Sequence, residues 1–291
     1  MKHLAIMVLV VMIFFAGCVD QSENNLGVMD DNVLSVEYEV YPKDVLPGSG
    51  GQIIFTLMNN GGFSIKNVKI FISNTFGLSI TSIDCDSGDK IDGGCYFNKI
   101  FVGDEKRVIY NFHVPTFYRN DISPEFLISY DYFGQTLWKE PILKRENIAA
   151  VPSGFFKQTA GPIKVDMEGI ESSDLQEEII EGTIYQMKIT VRDIAEQSQT
   201  TINKNNFKIK LTNFELYRDD MGNINCDFVL SGDELVPTED IIISQKNLFY
   251  CLLKTKILNN IWDFGIIEIN FDYNYKINKK IDIKIISKIG N

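Results

Sequence analysis

From Leu34 onward, apolar and polar side chains alternate in short runs. In Leu34-Ser35-Val36-Glu37-Tyr38-Glu39-Val40 every second residue is apolar. That is the two-residue period of a half-buried strand. Similar runs recur, punctuated by Gly, Asn, Asp and Pro. They predict strands in a first half at Leu34–Tyr41, Gln52–Met58, Asn67–Ser73, Leu78–Ile83, Cys95–Phe101, Arg107–Val114, Glu125–Phe133 and Thr136–Leu143. In a second half they predict strands at Ile163–Met167, Thr183–Val191, Phe207–Leu216, Asn225–Leu230, Ile241–Ser244, Leu248–Thr255, Ile266–Tyr275 and Lys280–Ile286. No long stretch repeats its apolar positions every 3.6 residues, and only Glu171–Glu181, acidic and equally readable as a loop, suggests a short helix. The expected class is all-β, with two tandem Ig-like β-sandwich domains.

The halves read as copies. Leu34–Glu39 matches Ile163–Glu168, Gly51 matches Gly182, and Ile128-Ser129-Tyr130-Asp131-Tyr132 matches Ile269-Asn270-Phe271-Asp272-Tyr273. At the same offset Lys139 meets Lys280 and Ile142 meets Ile283. The cysteine pairs are expected at equivalent points. The breaker-rich stretch Lys144–Pro162 separates the copies, giving one sandwich over 33–146, a linker over 147–161 and a second sandwich over 162–291.

The N-terminus breaks the alternation. Lys2 precedes twelve uninterrupted apolar residues, Leu4–Phe15. That is short of the ~20 a membrane-spanning helix needs and fits the core of a secretory signal peptide over 1–17. The run ends in Phe15-Ala16-Gly17-Cys18. This resembles a lipoprotein signal box, in which small residues let a peptidase close around the bond before the cysteine to be lipidated. Cleavage at Ala16-Gly17 with a plain Cys18 thiol, or an uncleaved anchor helix, are the alternatives. Residues 18–32, rich in Asp and Asn, then read as a polar tether on the lipidated Cys18.

The first half carries a more specific likeness. Gly51-Gln52-Ile53-Ile54-Phe55-Thr56-Leu57-Met58-Asn59-Asn60-Gly61-Gly62, followed by Val68-Lys69-Ile70-Phe71-Ile72, resembles the strand–Asn-Gly–strand opening of cell-adhesion-related (CARDB-like) Ig-fold domains. Such domains occur on prokaryotic, especially archaeal, surface lipoproteins. In the second half Arg192-Asp193 stands where that turn would fall. The likeness implies a fold and a surface setting, not an activity.

Chemistry follows from the cysteines. Besides Cys18 there are Cys85, Cys95, Cys226 and Cys251, which allow three pairings. If each half is one unit, the repeat selects Cys85–Cys95 and Cys226–Cys251. An exported chain meets an oxidising compartment where both bridges persist.

A net charge of -11 argues against nucleic acid, which is gripped by clustered Lys and Arg. With His3 in the leader, His113 is the one imidazole left, and no Gly-x-Ser-x-Gly elbow, phosphate loop or dinucleotide fingerprint is present. The chain is therefore expected not to be an enzyme and to use no cofactor. Asp84, Asp86, Asp89 and Asp92 are weak calcium candidates, since Asp89 and Cys95 occupy the Gly and Glu positions of the EF-hand pattern. Trp138 and Trp262 are candidate sugar platforms.

The expected protein sits at the cell membrane on its extracytoplasmic face. The membrane is its partner through the lipid anchor, with an envelope protein or glycan at its surface. It has a binding, adhesion or structural role; a carbohydrate-binding module, a calcium-stabilised adhesin and a hydrolase accessory protein are the alternatives.

Overall fold

The computed structural model describes residues 33–118, 120–145, 152–168, 179–194, 200–243 and 247–286. The expected signal peptide (1–17), the expected tether with Cys18 (18–32) and most of Glu171–Glu181 lie outside the described residues. The first half supplies β1 (Leu34–Tyr41), β2 (Asp44–Val45), β3 (Gly50–Asn59), β4 (Ile65–Asn74), β5 (Ser79–Cys85), β6 (Asp89–Ile91), β7 (Gly94–Ile100), β8 (Glu105–His113) and β9 (Glu125–Leu143). The second supplies β10 (Phe155–Gln158), β11 (Ile163–Glu168), β12 (Ile179–Ile180), β13 (Ile184–Asp193), β14 (Thr200–Ile202), β15 (Phe207–Thr212), β16 (Phe214–Leu216), β17 (Phe228–Ser231), β18 (Glu234–Pro237), β19 (Ile241–Ile243), β20 (Asn247–Thr255), β21 (Trp262–Lys280) and β22 (Lys284–Ile285). Among the described residues the one helical element is a 3-10 turn, Lys204–Asn206. The chain is all-β and sandwich-like.

Each half builds one four-stranded sheet, β1-β3-β8-β5 in the first and β11-β13-β20-β16 in the second. The orders correspond strand for strand, as the repeat requires. Most of the remaining strands form one sheet shared by both halves, running β17-β18-β15-β21-β9-β4-β7-β6 with β10 and β12 added on β9, while β2 pairs with β22 and β14 with β19 in two small ladders. Its axis is the antiparallel pair β9·β21, each strand 19 residues long, in register from Leu143↔Trp262 to Glu125↔Lys280.

Burial alternates along most of both long strands. Phe126, Ile128, Tyr130, Tyr132, Trp138 and Ile142 of β9, and Ile267, Ile269, Phe271, Tyr273 and Tyr275 of β21, are all buried. A two-residue period puts each set on one face. Both small sheets therefore pack side by side on the same face of the shared sheet. Under the first, Phe55, Tyr110 and Phe126 meet edge to face at centroid separations of 4.8 to 5.9 Å. Under the second, Trp138 packs on Phe214 at 5.9 Å. The buried side chains form one continuous cluster across both halves.

The structure corrects several expectations. Gly134 was expected to end a strand, yet β9 runs straight through it. Phe271, its cross-strand partner, lays its ring where a Gly134 Cβ would stand, so the glycine makes room for an aromatic instead of a turn. Phe207–Leu216 breaks at Asn213, whose φ of 61° turns the chain from the shared sheet to the small one. Asn60, Gly61 and Gly62 make no positive-φ turn. They lead from β3 in one sheet to β4 in the other, and Gly61 is required by space, because a Cβ there would lie 2.8 Å from Val33 and 3.1 Å from the Tyr132 hydroxyl. Residues 147–161 hold β10, which pairs with Thr136–Lys139 of β9.

The halves are related about the pair Tyr132↔Tyr273, two residues that also match each other in the repeat. Their rings meet edge to face at 5.9 Å. Both hydroxyls are buried without a completed hydrogen bond. Burial pushes the Tyr132 phenol up to about 12, although the Gly62 and Phe63 amides turned toward it work the other way. Burial likewise holds Tyr273 well above the ordinary tyrosine range.

Gly134→Ala should cost about 1–3 kcal/mol by displacing Phe271 from its stack on Phe207, read as a lower urea midpoint. Tyr132→Phe with Tyr273→Phe should raise stability at pH 7 by about 1 kcal/mol, since two unpaired buried hydroxyls are removed. A tyrosine with a raised folded-state pKa stabilises fully below its unfolded value of 10.0, and that contribution fades as pH climbs toward about 12. The double variant should therefore lose less stability than the parent across that window in alkaline denaturation curves.

Candidate functional site

The open cleft at one end of the first half is assembled by three chain crossings. The first carries the chain from β4 to β5. Asn74 Oδ1 accepts from the Phe76 amide at 2.9 Å, and the Leu78 amide donates to the Thr75 carbonyl at 3.1 Å. This tight turn holds Phe76 at φ 47°, a region sparsely used by bulky residues. Gly77 follows at φ 93°, where any Cβ would overlap the Tyr118 hydroxyl.

The second crossing lies between β8 and β9. The Tyr118 amide donates to the Pro115 carbonyl at 3.2 Å, and its hydroxyl donates to the Phe76 carbonyl at 3.0 Å, tying the two walls together. The third is the C-terminal segment. Ile122 and Ile283 form an antiparallel bridge, Asp121 Oδ1 accepts from the Ile285 amide at 2.9 Å, and Ser123 Oγ donates to Asp282 at 2.6 Å. The last residue of β21, Lys280, reaches the same rim.

The cleft has a volume of about 580 Å³. Ile122 in the lining is buried, while Phe117 is 74% exposed and Phe76 46% exposed. The Phe117 ring sits 5.0 Å from that of Tyr118. Two aromatic faces therefore stand in solvent beside a carboxamide (Asn120), hydroxyls and an ammonium. The corresponding crossings of the second half are shorter. There the crossing between sheets is made by Asn213, whose Nδ2 donates to the Phe264 carbonyl at 2.9 Å, and only Lys256–Ile261 separates β20 from β21.

The residues singled out from the sequence lie elsewhere. Bridges join Cys85 to Cys95 and Cys226 to Cys251. They are not equivalent, which corrects the repeat-based expectation. Cys85 on β5 reaches Cys95 on β7, linking the small sheet to the shared one, whereas Cys226 faces Cys251 of β20 through an isolated antiparallel bridge on the edge of the second small sheet. The position matching Cys95 is Leu235, paired with Ile209 as Cys95 is with Ile70.

Asp84, Asp86, Asp89 and Asp92 do not converge. Asp84 sits 3.5 Å from Lys90, Asp89 opens β6, and among the described residues no three His, Cys, Asp or Glu are grouped to hold a metal. Trp138 is buried and cannot offer a face to a sugar. Trp262 is half-buried against Phe264 at 5.3 Å. His113 is exposed at the end of β8. Asp219 closes a turn by accepting from the Asn223 side chain and from the Asn223 and Met221 amides, and these hydrogen bonds, the side-chain one foremost, hold its carboxyl below the usual range.

Phe76, Phe117 and Tyr118 were not foreseen. The available signal was aromatics placed among turn residues, between Asn74 and Gly77 and between Pro115 and Pro124, where no alternation demands them. No protein-family model and no curated protein matches the chain.

Removing a bridge frees the unfolded chain. Cys85→Ala with Cys95→Ala should lower stability by at most about 2.8 kcal/mol, and Cys226→Ala with Cys251→Ala by at most about 3.5 kcal/mol, in chemical denaturation.

Proposed function

We propose that this chain is a lipid-anchored surface protein of the archaeal lipoprotein type, with Ig-like, CARDB-like halves and a non-catalytic binding or structural role at the extracytoplasmic face of the cell membrane. The observation that carries this reading is the cleft of the first half. Its polar walls are fixed by internal hydrogen bonds while its aromatic faces are left to solvent. Such a surface is preorganised to receive a partner and requires no bond-making group.

The leader and Cys18 supply the anchor. Each acyl or isoprenoid methylene buried in the bilayer contributes ~0.8 kcal/mol, so two chains on one cysteine hold firmly. Oxidised bridges fit the same compartment. An open sheet edge or the loops at the sandwich ends would contact an envelope protein or glycan.

Mass spectrometry of protein purified from membranes should find a mature N-terminus at Cys18 carrying a lipid adduct. Cys18→Ser should move the protein from the detergent phase to the aqueous phase. A bare thiol at Cys18, or an intact leader, would refute the anchor.

A further inference from the structure

We infer that the outer edge of β21 at residues 277–280 receives Leu26-Gly27-Val28-Met29, a segment outside the described residues, as an added antiparallel strand. The internal repeat points there. With two exceptions, each ladder of the second half has a counterpart in the first. The pair β11·β13 answers to β1·β3, β13·β20 to β3·β8, and β15·β21 to β4·β9. Likewise β15·β18 answers to β4·β7, β16·β20 to β5·β8 and β17·β18 to β6·β7. Even the two-residue parallel contacts correspond. β12 lies on Ile142 and Leu143, and β2 lies on Lys284 and Ile285, one residue from the equivalent positions.

One exception, β14·β19, is an insertion that flanks β15 and β18. The other is β10 on β9, just ahead of β11. Two offsets fix where its counterpart falls. Leu34 stands for Ile163, so Phe155–Gln158 answers to residues 26–29. Tyr132 stands for Tyr273, so the β9 residues under β10 answer to 277–280 of β21. The predicted register sets Leu26 opposite Lys280, Val28 opposite Asn278 and Met29 opposite Ile277.

The receiving edge fits. The ladder with β15 ends at Phe271, and β21 runs on to Lys280 with no strand paired on that side among the described residues. β14 lies near β21 but takes its ladder from β19. Strand addition completes such an edge, its main-chain hydrogen bonds supplying the affinity. The reach fits as well. Val33 is buried against Gly61 and Gly161, beside the Tyr132 and Tyr273 rings. Ile277 lies four residues beyond Tyr273, about 13 Å along the strand. Asp30, Asp31 and Asn32 cover that gap, as Thr159, Ala160 and Gly161 do ahead of Pro162. Thr159 extends the β10 ladder by donating its amide to the Gln135 carbonyl at 2.9 Å and accepting from the Gln135 amide at 3.0 Å. Asp30 takes its place opposite Lys276, with a carboxylate to accept from that amide.

The pairing stands apart from the lipid anchor proposed above, but together they orient the molecule. Only residues 19–25 then separate the anchor from β21, at most about 25 Å. Lys280 is on the rim of the cleft, so the cleft lies within that distance of the bilayer.

The test uses the full-length chain in detergent. Extending the Thr159·Gln135 bonding pattern makes residues 28 and 278 a hydrogen-bonded pair, about 5.5 Å apart at Cα and within disulfide reach. Val28→Cys with Asn278→Cys should therefore link within one chain on mild oxidation, read by mass spectrometry of the digest. Val28→Cys with Asn274→Cys, about 13 Å out of register, should not. Val28→Pro removes the strand's donor and should speed deuterium exchange of the Asn278 amide about tenfold. Absence of the 28–278 link, equal linking at 274, or unchanged exchange overturns the pairing. A 28–278 link between two chains, seen as a dimer, places a second copy on the edge and also overturns it. The N-terminal mass from the same digest separates the two readings. A 28–278 link with an unmodified Cys18 keeps the pairing and refutes the anchor, and a lipidated Cys18 without the link does the reverse.

Discussion

The main-chain ladder between β9 and β21 is the constraint on which the rest depends. Nineteen residues of one strand face nineteen of the other, and a two-residue period keeps the same face buried from end to end. A one-residue slip would turn every buried aromatic of one strand outward, so the register is fixed by Phe126, Tyr130, Tyr132 and Trp138 of β9 together with Phe271, Tyr273 and Tyr275 of β21. Both four-stranded sheets find their floor on this pair. The outer edge of β9 is covered by β4 over its first part and by β10 and β12 further on. Main-chain groups that would otherwise be left open as a template for aggregation are thereby paired.

Approximate symmetry makes the departures from it informative. Where the halves agree, as in the strand orders of the two small sheets, packing alone accounts for the residues. The second bridge differs from the first in kind, one joining two sheets and one closing within a sheet. The β4–β5 and β8–β9 crossings differ more, since only the first half spends aromatic residues on them. The candidate site thus occupies the part of the fold that the shared architecture leaves free to vary.

Much of the strand pattern was legible in the sequence, because alternation reports half-burial directly. β1 and the cores of β3, β8, β13 and β20 fall where the periodicity places them. What escaped was set by partners distant along the chain. Gly134 reads locally as a breaker, but its environment is the ring of Phe271, 137 positions away. Asn60-Gly61 reads as a hairpin turn, yet its neighbours are Val33 and Tyr132. Short strands such as β10, β12 and β18 carry too few residues to show a period and exist because a neighbouring edge offers hydrogen bonds. The cleft was hidden for a related reason: Phe76, Phe117 and Lys280 lie on three separate segments, and no local spacing brings them together.

The strand pairing across the middle has a topological consequence. Covalent continuity between the halves is carried by residues 144–162, but cohesion is carried by the ladder and the common core beneath it. A protease nick within 147–151, ahead of β10, would cut the polypeptide without dividing the particle. The two fragments would remain seated as a heterodimer whose interface is the former centre of one sheet. The connecting segment therefore acts through effective concentration, replacing a bimolecular encounter with a local search.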